Sequence, residues 1–332
     1  MKYILNETPV RTTEHAKINN IKLDLDFPKI TEFSSYKIKG SSYNEYDSNS
    51  FDSSLGLKFD KAHNLDIDVK DSDIYIEYDI NENILVSNIN INVLKDINTN
   101  ITIRYNSLKD IYHVLKLNIN LEDNSNMNIN LINLVSRNSK SFIDIESNLN
   151  TNNKCDINLI DIGGNIKVNR YYSNVNGKHS ICNFNNVYLA SDDDIVDMNY
   201  YTALYEHKDE SYINVSGALM DNASKNFKGT IDFIEGSSKS IGKELERVTL
   251  LSDTAVTRSL PMLLCHEEDV EGAHGVSTGK IDNEKLFYMM SRGMSYKDAI
   301  KLILVSEFDI ALNKLNDELK DELKKIIEDR LN

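Results

Sequence analysis

From Leu65 onward the chain repeats one device, a short run with an apolar residue at every second position followed by a polar break. Leu65, Ile67 and Val69 alternate with Asp and Lys, Asp71-Ser72-Asp73 interrupts the phase, and Ile74, Ile76, Tyr78 and Ile80 resume it. Runs at 89–93, 115–121, 127–134, 142–149 and 157–162 follow. Period-two alternation places the apolar set on one face of each strand and Asn, Asp, Ser or Thr on the other, so the chain is mainly β. All but one of these runs start roughly 9 to 16 residues after the one before, too close for an intervening helix, which argues against βαβ units here. An antiparallel sandwich or barrel and a β-solenoid both remain compatible.

Composition bears on that choice. Of 42 asparagines, 29 fall between residues 81 and 200, and most alternate with Ile, Leu or Val. Asn tolerates left-handed corners and stacks in hydrogen-bonded ladders, which favours a solenoid. Only three prolines occur, leaving strand interiors unbroken in either architecture.

The last fifty residues change period. Asp282 is placed to cap a helix through Leu286, Phe287 and Met290, and Gly293 to end it. Ser295 and Asp298 form a capping box for a second helix with Ala299, Ile300, Ile303, Leu304, Phe308 and Leu312 on one stripe. Asn316 caps a third, carrying Leu319, Leu323, Ile326, Ile327 and Leu331. The expected organisation is an N-terminal arm or cap and loop (1–64), a β core (65–280) and a helical unit (281–332).

The formal charge of −15, from 37 basic and 52 acidic residues, argues against binding nucleic acid, whose phosphates demand Lys and Arg. An anionic membrane surface is disfavoured for the same reason. The longest apolar runs, such as Leu302 to Val305, fall far short of the ~20 residues a span requires. The start of the chain lacks the basic and apolar segments of a signal peptide. Three cysteines, none in a CxxC pair, suit a reducing compartment, and the expected location is cytoplasmic.

Familiar chemical motifs are missing. None of Gly177-Lys178, Gly242-Lys243 and Gly279-Lys280 belongs to a phosphate-binding loop, Gly163-Gly164 lacks the rest of a dinucleotide fingerprint, and no HExxH occurs. The densest reactive cluster is Cys265-His266-Glu267-Glu268-Asp269-Val270-Glu271, with His274 beyond it. Its donors suit a borderline metal. Adjacent strand residues point to opposite faces, however, so the expectation is a buried Cys265, an exposed His266 and an acidic turn. His179 and Cys182 read as structural residues of the strands, and the pairs Tyr171-Tyr172 and Tyr200-Tyr201 as strand-surface aromatics rather than a ligand platform.

Three segments carry a family resemblance: Phe227-Lys228-Gly229-Thr230-Ile231, Leu250-Leu251-Ser252 through Pro261, and Glu268-Asp269-Val270-Glu271-Gly272-Ala273-His274-Gly275. Gly279-Lys280-Ile281-Asp282, Leu286-Phe287-Tyr288 and Ser291-Arg292-Gly293 follow in order, then the helix with Ala299 and Phe308. This block resembles the SufB/SufD family of iron-sulfur cluster assembly proteins, most closely its short SufD-type members. The resemblance implies a right-handed parallel β-helix core with a C-terminal helical domain. It also implies a non-enzymatic scaffold subunit whose partners are a SufC-type ATPase and a SufB-type paralogue, or a second copy of the chain.

Carried over residue by residue, the resemblance makes His274, and more weakly Cys265, cluster-assembly candidates at the subunit interface. Leu286, Phe287, Tyr288, Ser291 and Arg292 become the docking residues for the ATPase. No tightly bound cofactor is implied, only a transient cluster at that interface. Gly272 stands where SufD members carry a cysteine two residues before the histidine, and Glu244, Glu246 and Arg247 lie where SufB members carry another. These departures favour an assisting subunit over a self-sufficient scaffold. A homodimeric scaffold working with SufC alone and a generic β-solenoid interaction module are the alternatives, and a pectate-lyase-like enzyme fits poorly.

Overall fold

A computed structural model describes residues 1–10, 17–30, 36–40, 43–70 and 73–331. The expected turn at Asp71-Ser72 lies outside the described residues, as do parts of the expected N-terminal arm. Sixteen strands, from Ala62–Val69 to Glu271–Lys280, join alternately to two nine-stranded sheets. Within that series every neighbour in a sheet is parallel and one full coil away in sequence. The molecule is therefore a parallel β-solenoid of eight two-strand coils, which decides between the two architectures left open above. Coils run from 24 residues, Leu65 pairing with Ile89, to 32, Ser224 pairing with Val256.

The inward set of each strand fills the lumen. Leu65, Ile67 and Val69 stack beneath Ile89, Ile91 and Val93, and Leu117, Ile119 and Leu121 continue the columns. Aromatic layers extend the same rule: Tyr78 stacks on Tyr105 at 4.9 Å and Tyr171 on Phe184 at 4.1 Å between ring centres. His113 is sealed in this lumen, where burial pushes its pKa down to about 3 and keeps the ring neutral.

Asparagine serves mainly the outside. Asn90 donates to Asp66 at 2.6 Å and Asn118 to Asn90 at 2.7 Å. Asn120, Asn148 and Asn174 each donate to the carbonyl oxygen of the Asn one coil before. Each rung satisfies a side-chain amide that would otherwise need water, which explains the alternation of Asn with Ile and Leu. One corner of every coil from Asp96 through Asn124, Asn152, His179, Lys208 and Lys239 holds a residue at φ between 56° and 63°. Asn and Asp tolerate that left-handed conformation best, so Asn124 and Asn152 suit it, whereas His179, Lys208 and Lys239 occupy it against local preference.

The two ends differ. Tyr36–Lys39 and Tyr43–Ser48 pair antiparallel with the first strands of the two sheets. That pairing blocks both edges at the N-terminal end. At the other end Val256–Cys265 and Glu271–Lys280 are edge strands with no following partner among the described residues. The remaining N-terminal strands, Lys2–Leu5, Ile21–Asp24, Phe51–Asp52 and Lys58–Phe59, pack apolar residues over one outer face through Val86, Val114, Phe142 and Val168.

Helices α1 (Asn283–Ser291), α2 (Tyr296–Glu307), α3 (Asp309–Leu312) and α4 (Asp317–Arg330) complete the chain. Asp282, Ser295 and Asn316 accept backbone N–H bonds as N-caps, and Gly293 takes φ 93° after α1, as expected. The stripe expected to form one second helix is broken at Phe308, whose N–H bonds to both Leu304 and Val305 before the short α3 begins. Leu304, Phe308, Leu312, Leu323 and Ile327 bury themselves against Ile132, Ile160, Val187 and Leu189 on the outer face of the other sheet. Arg104 grips Glu322 with two bonds of 2.6 and 2.9 Å, and Arg330 donates to the carbonyl of Ile162. The helices are thus fastened along the side of the solenoid and leave its end uncovered.

Candidate functional site

The last coil presents its inward face to solvent. In register with Gly242, Glu244, Glu246 and Val248 stand Gly272, His274, Val276 and Thr278, while Ser259, Pro261, Leu263 and Cys265 continue Phe227, Gly229, Ile231 and Phe233. These positions would be lumenal if another coil followed. Among the described residues none follows, and His274 and Cys265 are both exposed. The expectation that Cys265 is buried fails for this reason: its direction is inward, but nothing closes over it. His266 is exposed as expected and lies 3.6 Å from Asp232, which also receives the Tyr201 hydroxyl at 2.5 Å.

Cys265 and His274 do not converge. Cys265 ends its strand above Phe233, whereas His274 sits above Glu244, one pleat beyond Gly272. Among the described residues no three His, Cys, Asp or Glu side chains form a metal-holding group. At Gly272 a Cβ would lie 3.2 Å from Leu263 Cδ1 and 3.3 Å from Phe233 Cε2, so a larger residue there would press on apolar side chains that must give by a few tenths of an ångström.

Beneath the open coil lies a buried polar layer that the residue-type motifs did not reveal. Lys225 pairs with Glu246, both fully buried, and Ser259 bonds each of them. Glu244 reaches across to Gly229, where a Cβ would come within 2.3 Å of its carboxyl carbon. Only glycine at 229 leaves room for that carboxyl group. Both Glu244 oxygens are buried without a hydrogen-bond partner, and burial, reinforced by nearby Glu246, raises its pKa to about 8. The signal that could have found this layer is the coil repeat itself, since Glu244 and His274 are exactly one coil apart in register.

The residues expected on the helices divide by exposure. Leu286 is buried and supports α1, so it cannot contact a partner directly. Phe287 is 73% and Tyr288 59% exposed, and Ser291 and Arg292 are also exposed, with the Arg292 guanidinium 5.3 Å from the Tyr288 ring centre. Met290, Met294, Tyr296 and Leu302 add exposed apolar surface on α1, α2 and the turn between them, beyond what the sequence suggested. Thr249 Oγ1 donates to Glu307 at 2.7 Å, tying α2 to the penultimate strand of its sheet. The expected surface role of the tyrosine pairs is half corrected: Tyr171 and Tyr200 face the lumen, while Tyr172 and Tyr201 stack outside at 4.6 Å. His179 lies in a corner and Cys182 in the lumen, so they form no joint site.

Comparison with known proteins agrees with this geometry. Residues 76–307 match the family described as "SUF system FeS cluster assembly, SufBD core domain". The iron-sulfur cluster assembly protein SufD of Bacillus subtilis is 35% identical over 120 residues, 36% of this chain and 28% of that protein. SufD of Escherichia coli is 25% identical over 175 residues, 51% of this chain and 40% of that protein. A SufBD family protein of Pyrococcus horikoshii is 30% identical over 152 residues, 46% and 34% of the two chains. The matched stretches cover less than half of these relatives' lengths. No described helix is long and apolar enough to cross a membrane. With a family match across more than half its length and the parallel solenoid to accompany it, the chain belongs to the SufBD core-domain family of the SUF iron-sulfur cluster assembly system.

Proposed function

We propose that this chain is a SufD-like, non-catalytic subunit of a Suf-type scaffold, pairing through its last coil with a SufB-type chain and docking a SufC-type ATPase on its helices. The observation that carries the reading is the asymmetry of the solenoid: the N-terminal edges are blocked by antiparallel strands, whereas the C-terminal edges and the inward face bearing His274 are open. Unpaired parallel edges are templates for strand addition from a second chain. The exposed Phe287, Tyr288, Met290, Tyr296 and Leu302 support a separate protein contact at the helices. The cluster would be transient cargo at the paired edge, in the cytoplasm, with the 65–280 core forming the scaffold and 281–332 the dock. The homodimeric alternative predicts the same edge occupied by a second copy, and sedimentation with and without a SufB-type chain separates the two.

Removing the helices altogether would also strip the cover from Ile132, Ile160 and Val187, so surface variants test docking more cleanly. Phe287→Ala combined with Tyr288→Ala is expected to weaken capture of the SufC-type ATPase by roughly tenfold or more, since buried aromatic anchors dominate such contacts. The unfolding midpoint should stay unchanged, and undiminished capture would refute the dock. His274→Ala, at an exposed position, should lower cluster yield in the reconstituted complex while leaving stability alone. A normal yield removes His274 from the mechanism.

A further inference from the structure

Midway along the solenoid two cysteines face the lumen one coil apart. Cys155 in Lys154–Asp161 and Cys182 in Ile181–Ala190 are in-register parallel partners, both buried and both free. Neighbouring strands lie about 4.8 Å apart, within the Cα separation of about 4.4–6.8 Å that a disulfide spans. Each thiol shifts the other's ionisation. Cys182 Sγ is also 2.8 Å from the Tyr171 hydroxyl and 3.4 Å from Ser173 Oγ, and Ser173 receives the hydroxyl of Ser147 at 2.9 Å.

A cysteine that merely fills apolar space has no need of such a shell. Hydroxyl donors around a sulfur favour its thiolate, the reactive form. The neighbouring Cys155 thiol and the hydroxyls of Ser173 and Tyr171 draw the Cys182 thiol below its ordinary range, while Cys182 and burial push Cys155 up. The hydroxyl contacts of Tyr171 and Ser173 fall on Cys182, so Cys182 is suited to attack first and Cys155 to resolve.

We propose that Cys155 and Cys182 are a reversible oxidation site, converted by a small hydroperoxide into a disulfide that ties two adjacent coils. The Cys182 thiolate attacks the peroxide oxygen, the O–O bond breaks, and a sulfenic acid forms with release of water or alcohol. Cys155 then attacks the sulfenic sulfur, expelling a second water as the S–S bond forms. With hydrogen peroxide the balance is two thiols and one peroxide to one disulfide and two waters. The oxidant must be small because neither sulfur is open to a bulky disulfide such as glutathione's. The bond closes the loop between Cys155 and Cys182, a full coil, and holds the middle of the solenoid in register.

The test uses the full chain with Cys265→Ser, which removes the exposed thiol that would react first. Hydrogen peroxide should produce a mass loss of about 2 Da, two hydrogens, and a single cross-linked peptide pair joining residues 155 and 182. The unfolding midpoint should rise by roughly 5 °C. Dithiothreitol should reverse both changes, and adding Cys155→Ser or Cys182→Ser should abolish them. If the folded Cys265→Ser protein keeps two alkylatable thiols after peroxide, or accumulates oxygen adducts without the cross-link, the proposal is overturned. That readout stands on the parent alone should either serine variant fold poorly.

Discussion

Glu244→Gln is expected to remove a pH-dependent penalty from the folded state. Glu244 is 2% exposed, both its oxygens lack partners, and its pKa is raised to about 8. A raised carboxyl pKa means that the native state holds a proton the unfolded chain releases. Stability therefore falls as pH climbs from the ordinary carboxylate range toward 8, and the penalty is absent at acid pH, where both states are protonated. The linkage amounts to about 3 kcal/mol at neutral pH and about 5 kcal/mol above pH 8. The glutamine side chain has the same shape and no charge, so this component of the slope disappears. Asp209, with its pKa raised to about 7 by burial, contributes a similar slope in both proteins, so the informative quantity is the difference between them. Urea unfolding at pH 5, 7 and 8.5 should show variant and wild type converging at the lowest pH and separating above it. Parallel profiles would mean that Glu244 ionises freely or is paired in solution.

A loss of about 3–5 kcal/mol is expected for Asp197→Ala, because removing one member of a buried ion pair strands the other. Lys228 Nζ lies 2.5 Å from Asp197 Oδ1 and 3.1 Å from the carbonyl of Asn6, and lysine and aspartate are both fully buried. Asn6, at φ 57°, completes the group by donating to Asp197 Oδ1 at 2.7 Å. The N-terminal segment is thus pinned to the outer face of the solenoid by a charge pair on the Val86–Phe142–Val168 side. Alanine at 197 leaves an ammonium group in the interior with little but one carbonyl and releases Asn6. Faster proteolytic clipping within the first ten residues should accompany the lost stability. Replacing the pair together, as Asp197→Leu with Lys228→Met, should recover most of the loss, since well-packed apolar pairs substitute for buried ion pairs at little net cost. A cost under about 1 kcal/mol for Asp197→Ala would show that Lys228 finds another partner.

Several site features are legible in the sequence and others are not. His274 was readable from its motif, and its exposure follows once its strand is known to be last. For Cys265 alternation assigns a face and says nothing about whether that face is covered. Leu286 shares the motif with its exposed neighbours, but it lies on the buried face of α1. Glu244 looked like one more acid in an acidic chain, and only its position opposite Gly229 makes it a buried, unpaired carboxyl.

Strand period, turn positions and helix caps are local properties, and residue order alone specified them: period-two alternation from Leu65, the αL glycine at 293, the caps at Asp282, Ser295 and Asn316. Two-residue alternation also marked the inner and outer faces before any partner strand was known. Stacking was not local. Cross-coil partners lie 24 to 32 residues apart, and this variable spacing hid the pairing that joins Asn120 to Asn148, Cys155 to Cys182 and Glu244 to His274. Only the assembled coils decided which end is sealed, because backbone edges are satisfied by neighbours that no short window contains. The same stacking turned an inward-facing histidine into a surface residue, and an ordinary glutamate into the floor beneath it.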